Sequence, residues 1–149
     1  MANPQHPLSP RTGLPLIPKE EPRRTTRCDG SPPEGLLTGI AQFNRGDYWE
    51  CHETLEELWR HQPDPVRYLY QGILLVGVGL YHLRRGNERG ALSKLRAGLD
   101  LLAPYAPTCL GVDVASLRRD VEQVIGCQLS DGRVEPPTIH VWDTGSTMT

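Results

Sequence analysis

The chain has 149 residues and a formal net charge of −2, from 16 Lys and Arg against 18 Asp and Glu. This length favours a single domain. The balanced charge excludes a dedicated nucleic-acid binder, which would need a clustered basic surface. The most apolar stretch, residues 73–81, is too short to cross a bilayer, and the opening residues show no signal-peptide pattern. We therefore predict a cytoplasmic protein whose partners are neither nucleic acid nor membrane.

Proline is concentrated at the beginning of the chain, where residues 1–33 hold eight of the 14 prolines. This stretch has few large apolar side chains, so it cannot bury enough surface to offset the entropy of ordering it. We predict a disordered proline-rich tail over residues 1–32, a helical domain over 33–128 and a C-terminal tail over 129–149. Residues 138–142 alternate like a strand, and they either pack on the helical domain or stay loose.

Five helices are predicted between the two tails, from apolar spacing and from residues that begin or end helices. Asp47 and Asn87 are in capping positions, Gly86 ends a helix, and Pro65 begins one. The predicted helices cover residues 34–44, 47–61, 65–85, 87–102 and 113–125. The third is apolar nearly all round, which is typical of a central helix. The predicted fold class is therefore all-α, a bundle of about five helices.

A weak internal repeat with an offset of 40 residues links the first four helices. Residues 45–47 match residues 85–87, Gly39 matches Gly79, and Leu55 matches Leu95. Each copy predicts a helix, a tight glycine turn and a capped helix, so the bundle is built from two helical hairpins. Glycine inside a helix costs roughly 1 kcal/mol relative to alanine. Gly72 and Gly79 therefore indicate the close approach of a neighbouring helix backbone.

The four cysteines are Cys28, Cys51, Cys109 and Cys127, and no two have the CxxC spacing of zinc or redox sites. Cys51 and Cys127 fall on helical segments as small apolar residues. We predict that all four are free thiols in a reducing cytosol.

The second predicted helix carries the most informative chemical pattern of the sequence. At about 100° per residue, His52 and Glu56 project onto the face that carries Trp49 and Trp59, and Glu53 falls at its border. A carboxylate on such a face requires a partner, because an unpaired buried charge is costly. His52 and Glu56 are one turn apart, so their side chains can meet.

The third predicted helix adds Gln71 and His82 to this pattern. The resulting polar cluster is His52, Glu53, Glu56, Trp59, Gln71 and His82. One interpretation is a buried polar network that fixes the register of the helices. The other is a catalytic site in which His52, Glu56 and His82 bind a divalent metal and Glu53 is the base. The string His52-Glu53-x-x-Glu56 is similar to the zincin helix HExxH, in which two histidines bind zinc.

Other chemical motifs are weak or missing in the sequence. It contains no phosphate-binding glycine loop and no nucleophile elbow. Arg84, Arg85, Arg89 and Arg96 form either a small patch for an anionic ligand or a solvated basic face. We expect no cofactor other than the divalent metal of the second interpretation.

Two blocks of the sequence share the order and spacing of a known signature. The first is Phe43-x-x-Gly46-x-Tyr48-Trp49-x-x-His52-Glu53-x-Leu55-Glu56-x-x-Trp59, and the second contains Gln71-Gly72-Ile73, Leu80-Tyr81-His82, Arg85-Gly86-Asn87, Gly90-Ala91 and Leu95. Over about residues 36–105 the chain resembles the domain-of-unknown-function family numbered 309. The resemblance implies a small all-helical bundle without an established activity. Leu75 departs from the family, in which many members have a second Gln at this position.

Two functions are compatible with these features. The preferred hypothesis is a binding or scaffolding module for an unknown protein or small-molecule ligand, because the hairpins repeat and the catalytic set is incomplete. It leaves open whether the protein is a homo-oligomer. The alternative is a small metal-assisted hydrolase, or another enzyme, that uses His52, Glu56 and His82.

Overall fold

The computed structural model describes residues 21–129 and 135–142, and most of these residues are helical. The helices are α1 (Glu34–Asn44), α2 (Tyr48–Arg60), α3 (Arg67–Arg84), α4 (Glu88–Leu102) and α5 (Val114–Leu129), with short 3₁₀ turns at Thr26–Asp29 and Ala103–Tyr105. Two very short strands, β1 (Thr108–Cys109) and β2 (Val112–Asp113), pair antiparallel between α4 and α5. The predicted all-α class is confirmed, and all five predicted helices are present.

The turns of the two hairpins have the same backbone geometry, as the repeat predicts. Gly46 and Gly86 have φ angles of 83° and 80°, in the left-handed region that glycine adopts without strain. The equivalent hydrogen bonds are Gly46 N–H to Phe43, Asp47 N–H to Gln42, Gly86 N–H to Leu83 and Asn87 N–H to His82, all to backbone carbonyls. Both turns are therefore Schellman endings, and the α1–α2 and α3–α4 hairpins are built alike.

Helix α3 is central, and it packs against both α2 and α4. A Cβ atom added at Gly79 would lie 2.8 Å from Leu95 Cγ, and one added at Gly98 would lie 3.0 Å from the Gly72 carbonyl oxygen. The predicted close approach at Gly72 and Gly79 is confirmed, and α4 is the neighbour. Although α3 is strongly apolar, no helix of the described residues has the length and hydropathy needed to span a membrane.

Residues 23–30 pack against the helices, which differs from the tail predicted over residues 1–32. The guanidinium of Arg24 donates to three backbone carbonyls between residues 105 and 108, at 2.9 to 3.4 Å. These contacts join groups more than 80 positions apart, so local composition could not indicate them. Residues 1–20, the rest of the predicted tail, lie outside the described residues.

A disulfide joins Cys28 to Cys109, whose Cα atoms are 4.3 Å apart and which are separated by 81 positions in the sequence. The prediction of free thiols is wrong for this pair, because nothing local in the sequence pairs two cysteines so far apart. The prediction of a free thiol is confirmed for Cys51, which is buried, and for Cys127, which is half-buried. The disulfide ties the first 3₁₀ turn to β1.

Residues 135–142 also pack on the helices, which was one of the two alternatives for this segment. The side-chain amide of Asn44 donates to the Ile139 carbonyl at 2.9 Å, and its oxygen accepts from the Ile139 N–H at 2.8 Å. Val141 forms a β-bridge with Val112. The other parts of the predicted C-terminal tail beyond α5 lie outside the described residues.

Candidate functional site

Helix α2 is rotated relative to the orientation predicted from the sequence. Its buried side chains are Tyr48, Cys51 and Leu55, so its inward face is centred roughly 70° away from His52. The side chain of His52 is 24% exposed and that of Glu56 is 43% exposed. The predicted burial of this pair is therefore corrected, because the two groups lie at the edge of the α2–α3 interface and not in the core.

His52 is held by two neighbours on its own helix. Its Nε2 atom lies 3.3 Å from Glu56 Oε2, so the predicted contact between the two side chains is confirmed. Its ring stacks on the indole of Trp49, with centroids 5.2 Å apart and planes inclined by 27°. The Nδ1 atom is buried and has no hydrogen-bond partner among the described residues. The Glu56 carboxylate and the Trp49 ring therefore hold the imidazole of His52 between them.

Trp49 continues the stack from α2 to the end of α3. It is 51% exposed, so about half of this large apolar side chain is open to solvent. The centroid of its ring lies 5.8 Å from the centroid of the Tyr81 ring. The Tyr81 ring centroid in turn lies 5.5 Å from the Arg85 guanidinium carbon and 6.2 Å from the centroid of the His82 ring. Sequence reasoning placed Trp49 beside His52 but did not include Trp49 or Tyr81 in the site. The sequence could have pointed to Trp49 and Tyr81, because both residues belong to the family-like signature.

A second group of rings lies at the other end of α2 and α3. The Arg67 guanidinium carbon is 4.3 Å from the centre of the Trp59 ring and 5.6 Å from that of Tyr68. Trp59 was predicted as a core residue, and it is half-buried and packs against the core from outside. The Nε1 atom of Trp59 and the Nε atom of Arg67 are buried without a hydrogen-bond partner in the part of the chain that the structure describes.

A half-buried stripe of α3 joins these two groups of rings. Its members, spaced three or four residues apart, are Tyr68, Gln71, Leu75, Val78 and His82. Gln71 and His82 therefore share a face of α3, as predicted. We use the name aromatic strip for the surface formed by Trp49, His52, Trp59, Arg67, Tyr68, Leu75, Val78 and Tyr81.

The predicted metal site of His52, Glu56 and His82 is not assembled in the described residues. Within residues 21–129 and 135–142, no three His, Cys, Asp or Glu side chains form a group that could hold a metal ion. Catalytic zinc normally has three protein ligands and structural zinc has four. Of the predicted ligands His52, Glu56 and His82, the first two are in contact, and no third ligand joins them within the described ranges. Glu53, the predicted base, is exposed. Among the described residues, the donor set around His52 does not fit a resident metal.

The predicted arginine patch is partly used in packing. Arg84 donates to the Gly46 carbonyl at 2.8 Å, and its guanidinium carbon lies 4.7 Å from the centre of the Tyr48 ring. Arg84 therefore ties the second hairpin to the turn of the first. Arg89 and Arg96 are exposed on α4. An anionic ligand at this end of the bundle stays a prediction.

Burial raises the pKa of several groups in the interior. It raises the pKa of the Cys51 thiol to about 12 and that of the Tyr105 hydroxyl to about 12. Burial also raises the pKa of Tyr48, although the nearby Arg84 opposes this effect. A thiol with so high a pKa is not a nucleophile near neutral pH. Cys51 is therefore a packing residue, although it is adjacent to His52 in the sequence.

Comparison with known proteins finds one family model that is similar to part of the chain. Residues 36–93 match the model of the family described as Domain of unknown function (DUF309). The resemblance found in the sequence is confirmed. The DUF309 match covers α1 to α3 and the beginning of α4, and it therefore includes the whole aromatic strip.

Two curated relatives are similar to parts of the chain. The "Uncharacterized protein YpuF" of Bacillus subtilis (strain 168) is 41% identical over 61 residues, which cover 40% of this chain and 35% of the relative. An "Uncharacterized protein" of Aquifex aeolicus (strain VF5) is 26% identical over 96 residues, which cover 62% of this chain and 29% of the relative. The chain thus spans about a third of the length of these relatives, and neither printed name states an activity.

Proposed function

We propose that this protein is a binding module that recognises an extended segment of polypeptide on the aromatic strip. The observation that carries the proposal is Trp49, a half-exposed indole held in place by the His52 ring on one side and next to Tyr81 on the other. Trp, Tyr and Arg are the residues most often found to carry binding energy at protein interfaces. A large exposed ring that is already fixed loses little entropy when a partner covers it.

The shape of the aromatic strip supports an elongated ligand. From Arg67 to Tyr81 the helix rises about 21 Å, at about 1.5 Å per residue. Aromatic rings occupy both ends of the strip, and the half-buried apolar side chains of Leu75 and Val78 lie between them. A peptide of about seven extended residues at 3.1 Å each has the same length. A small molecule would contact one of the two ring groups but not both.

The His52–Glu56 pair has a positioning role in this proposal. A carboxylate oxygen of Glu56 lies 3.3 Å from Nε2 of His52, and the imidazole stacks on the indole of Trp49. No third ionisable ligand or base joins the pair in the described ranges. This supports binding over a metal-assisted hydrolase as the function.

The test is selection of binding peptides by the full-length protein from a random 12-residue display library. Enriched peptides are then titrated against wild type, Trp49→Ala and Trp142→Ala. Trp142 is the matched control, since it is 57% exposed and lies near β2 instead of on the strip. We expect Trp49→Ala to weaken binding by at least tenfold and Trp142→Ala to leave it unchanged. Failure to enrich any peptide, or equal affinity for the two variants, would overturn the proposal.

The cytoplasmic location stays a prediction, and the Cys28–Cys109 disulfide counts against it. Disulfides persist mainly in oxidising compartments, and a reducing cytosol opens most of them. The predicted absence of nucleic-acid and membrane partners, and the oligomeric state, also stay predictions. The peptide titrations address the one partner class that the aromatic strip favours.

A further inference from the structure

We propose that the proline-rich residues 1–20 of this chain bind its own aromatic strip and compete there with a partner. The inference rests on the proposed function for the choice of surface, and it adds the regulation of that surface. Three observations support it: the place where residues 1–20 join the described part, their proline spacing, and the unpaired donors of the strip.

The junction lies beside one end of the aromatic strip. The Arg23 N–H donates to the Tyr105 hydroxyl at 3.1 Å, and this hydroxyl donates to the Pro65 carbonyl at 2.6 Å. Pro65 is two positions before Arg67, which stacks on Trp59. Twenty residues in a polyproline II conformation span about 62 Å. They are therefore long enough to run the whole strip, from Arg67 to Tyr81.

Three of the five prolines in this segment have the spacing of a single-faced polyproline II ligand. Within residues 1–20 they are at positions 4, 7, 10, 15 and 18. A polyproline II helix has about three residues per turn, so Pro4, Pro7 and Pro10 fall on one side of it. Proline-rich segments of this kind dock in grooves lined with aromatic rings. The strip supplies aromatic rings at both of its ends, with Leu75 and Val78 between them.

The hydrogen-bonding groups are also complementary. Trp59 Nε1 and Arg67 Nε are N–H donors with no acceptor among the described residues. Proline has a carbonyl acceptor and no N–H, so a proline-rich segment offers mostly acceptors. Both nitrogens are buried, so the Arg67 side chain, which now covers the Trp59 ring, has to move before a carbonyl can reach them. A carbonyl that reaches such a donor supplies the hydrogen bond that the described residues lack.

Tethering makes a weak contact effective. A short flexible linker gives an effective concentration of about 1 mM. A segment that binds with a Kd of about 0.1 mM would then occupy about nine tenths of the strips, and a competing partner would bind about tenfold more weakly. The proline-rich segment thereby raises the concentration of partner that is needed to occupy the strip.

The first experiment places a nitroxide label on the full-length protein. Ser9→Cys is labelled in a Cys127→Ser background, where Cys51 is buried and Cys28 and Cys109 are paired. The loss of NMR intensity is compared for the indole N–H signals of Trp49 and Trp142. The backbone N–H of Trp142 donates to the Gly111 carbonyl, and the backbone N–H of the preceding residue, Leu110, donates to the Cys28 carbonyl. Trp142 is therefore nearer to the junction, and an unbound segment would broaden its signal at least as much.

We expect the Trp49 signal to lose at least three times as much intensity as the Trp142 signal, and equal losses would overturn the inference. The second experiment replaces Pro4, Pro7 and Pro10 with serine. This variant should bind the enriched library peptides threefold to tenfold more tightly than wild type, and unchanged affinity would count against competition. Peptides that bind through Trp49 without selective broadening reject only this inference. Selective broadening without any binding peptide rejects only the proposed function.

Discussion

Leu95 lies directly against Gly79, and Leu55 lies in the same way against Gly39, 40 positions earlier in each case. A Cβ atom added at Gly79 would be 2.8 Å from Leu95 Cγ, and one added at Gly39 would be 2.8 Å from Leu55 Cγ. The same leucine-on-glycine contact thus closes both hairpins. Both hairpins therefore share the same helix–helix contact as well as the same Schellman turn. These two shared features show that the sequence repeat is also a structural repeat.

Gly79→Ala should destabilise the protein by about 1–3 kcal/mol, the usual cost of overpacking. Besides Leu95, the new methyl group would meet the Ala91 carbonyl oxygen at 3.2 Å, and backbone cannot move as easily as a side chain. Gly126→Ala on α5 is the control, because a Cβ there meets nothing within 4 Å. It should stabilise α5 by about 0.5–1 kcal/mol through helix propensity. Urea unfolding measures both, and equal effects would contradict the packing argument.

Cys28→Ser should lower the free energy of unfolding by about 4 kcal/mol, because the disulfide closes a loop of 81 residues and restricts the unfolded chain. Guanidinium unfolding with and without a thiol reductant provides the measurement. Reductant should destabilise wild type by a similar amount and leave the variant unchanged. Cys127→Ser is the control and should keep the reductant response. Four reactive thiols in the unfolded, unreduced protein would show that the disulfide does not form.

Stability should fall between about pH 10 and pH 12, partly because of Tyr105. Burial raises its pKa from 10.0 to about 12 in the folded state. In this range the unfolded chain releases the phenol proton while the folded chain retains it, so rising pH favours unfolding. Tyr105→Phe removes this contribution, and its melting temperature should fall less steeply over the same range. Near pH 7 the variant should be less stable than wild type by about 1 kcal/mol, because a hydrogen bond to Pro65 is lost. Parallel melting curves for the two proteins above pH 10 would contradict the assignment.

His52→Ala should free the indole of Trp49 and cost about 1 kcal/mol of stability, which is the scale of one ring stack. Glu56→Gln should cost less than about 0.5 kcal/mol, because the pair is partly exposed and its charge is screened. The measurement is the anisotropy of tryptophan fluorescence together with urea unfolding. Both variants should retain the fold and bind the selected peptides more weakly. A loss of several kcal/mol in either variant would instead indicate a buried network.

Protein purified without a histidine tag should contain less than about a tenth of an equivalent of zinc, manganese or iron, because a real site normally remains filled. The reason is that no three His, Cys, Asp or Glu side chains of the described residues form a group that could hold a metal ion. The measurement is the metal content per protein, determined by elemental analysis after excess metal has been added and then removed. Retention of one equivalent that is lost in His82→Ala would revive the metal-assisted alternative.

Much of the bundle could be predicted because its signals are local. The predicted first helix, residues 34–44, has the same bounds as α1, since its apolar period and the glycine that follows it are both within a few residues. The capping role of Asn87 is likewise confirmed by its side-chain bond to the Gly90 N–H. The site was harder to predict. The His52–Glu56 contact follows from helical spacing alone, but the burial of that pair depended on how α2 is rotated. The large indoles of Trp49 and Trp59 made their side of the helix look like the core side.

The amino-acid sequence by itself determined where helices begin and end, that two hairpins repeat, and which family-like signature they carry. These properties depend on neighbours within about one or two turns, where spacing and capping act directly. Only the tertiary structure decided that Cys28 bonds to Cys109, that Arg24 anchors residues 23–30, and that Trp49 is left half-exposed. Each of these results depends on contacts between groups distant in the chain, whose free energies exist only once the helices have packed.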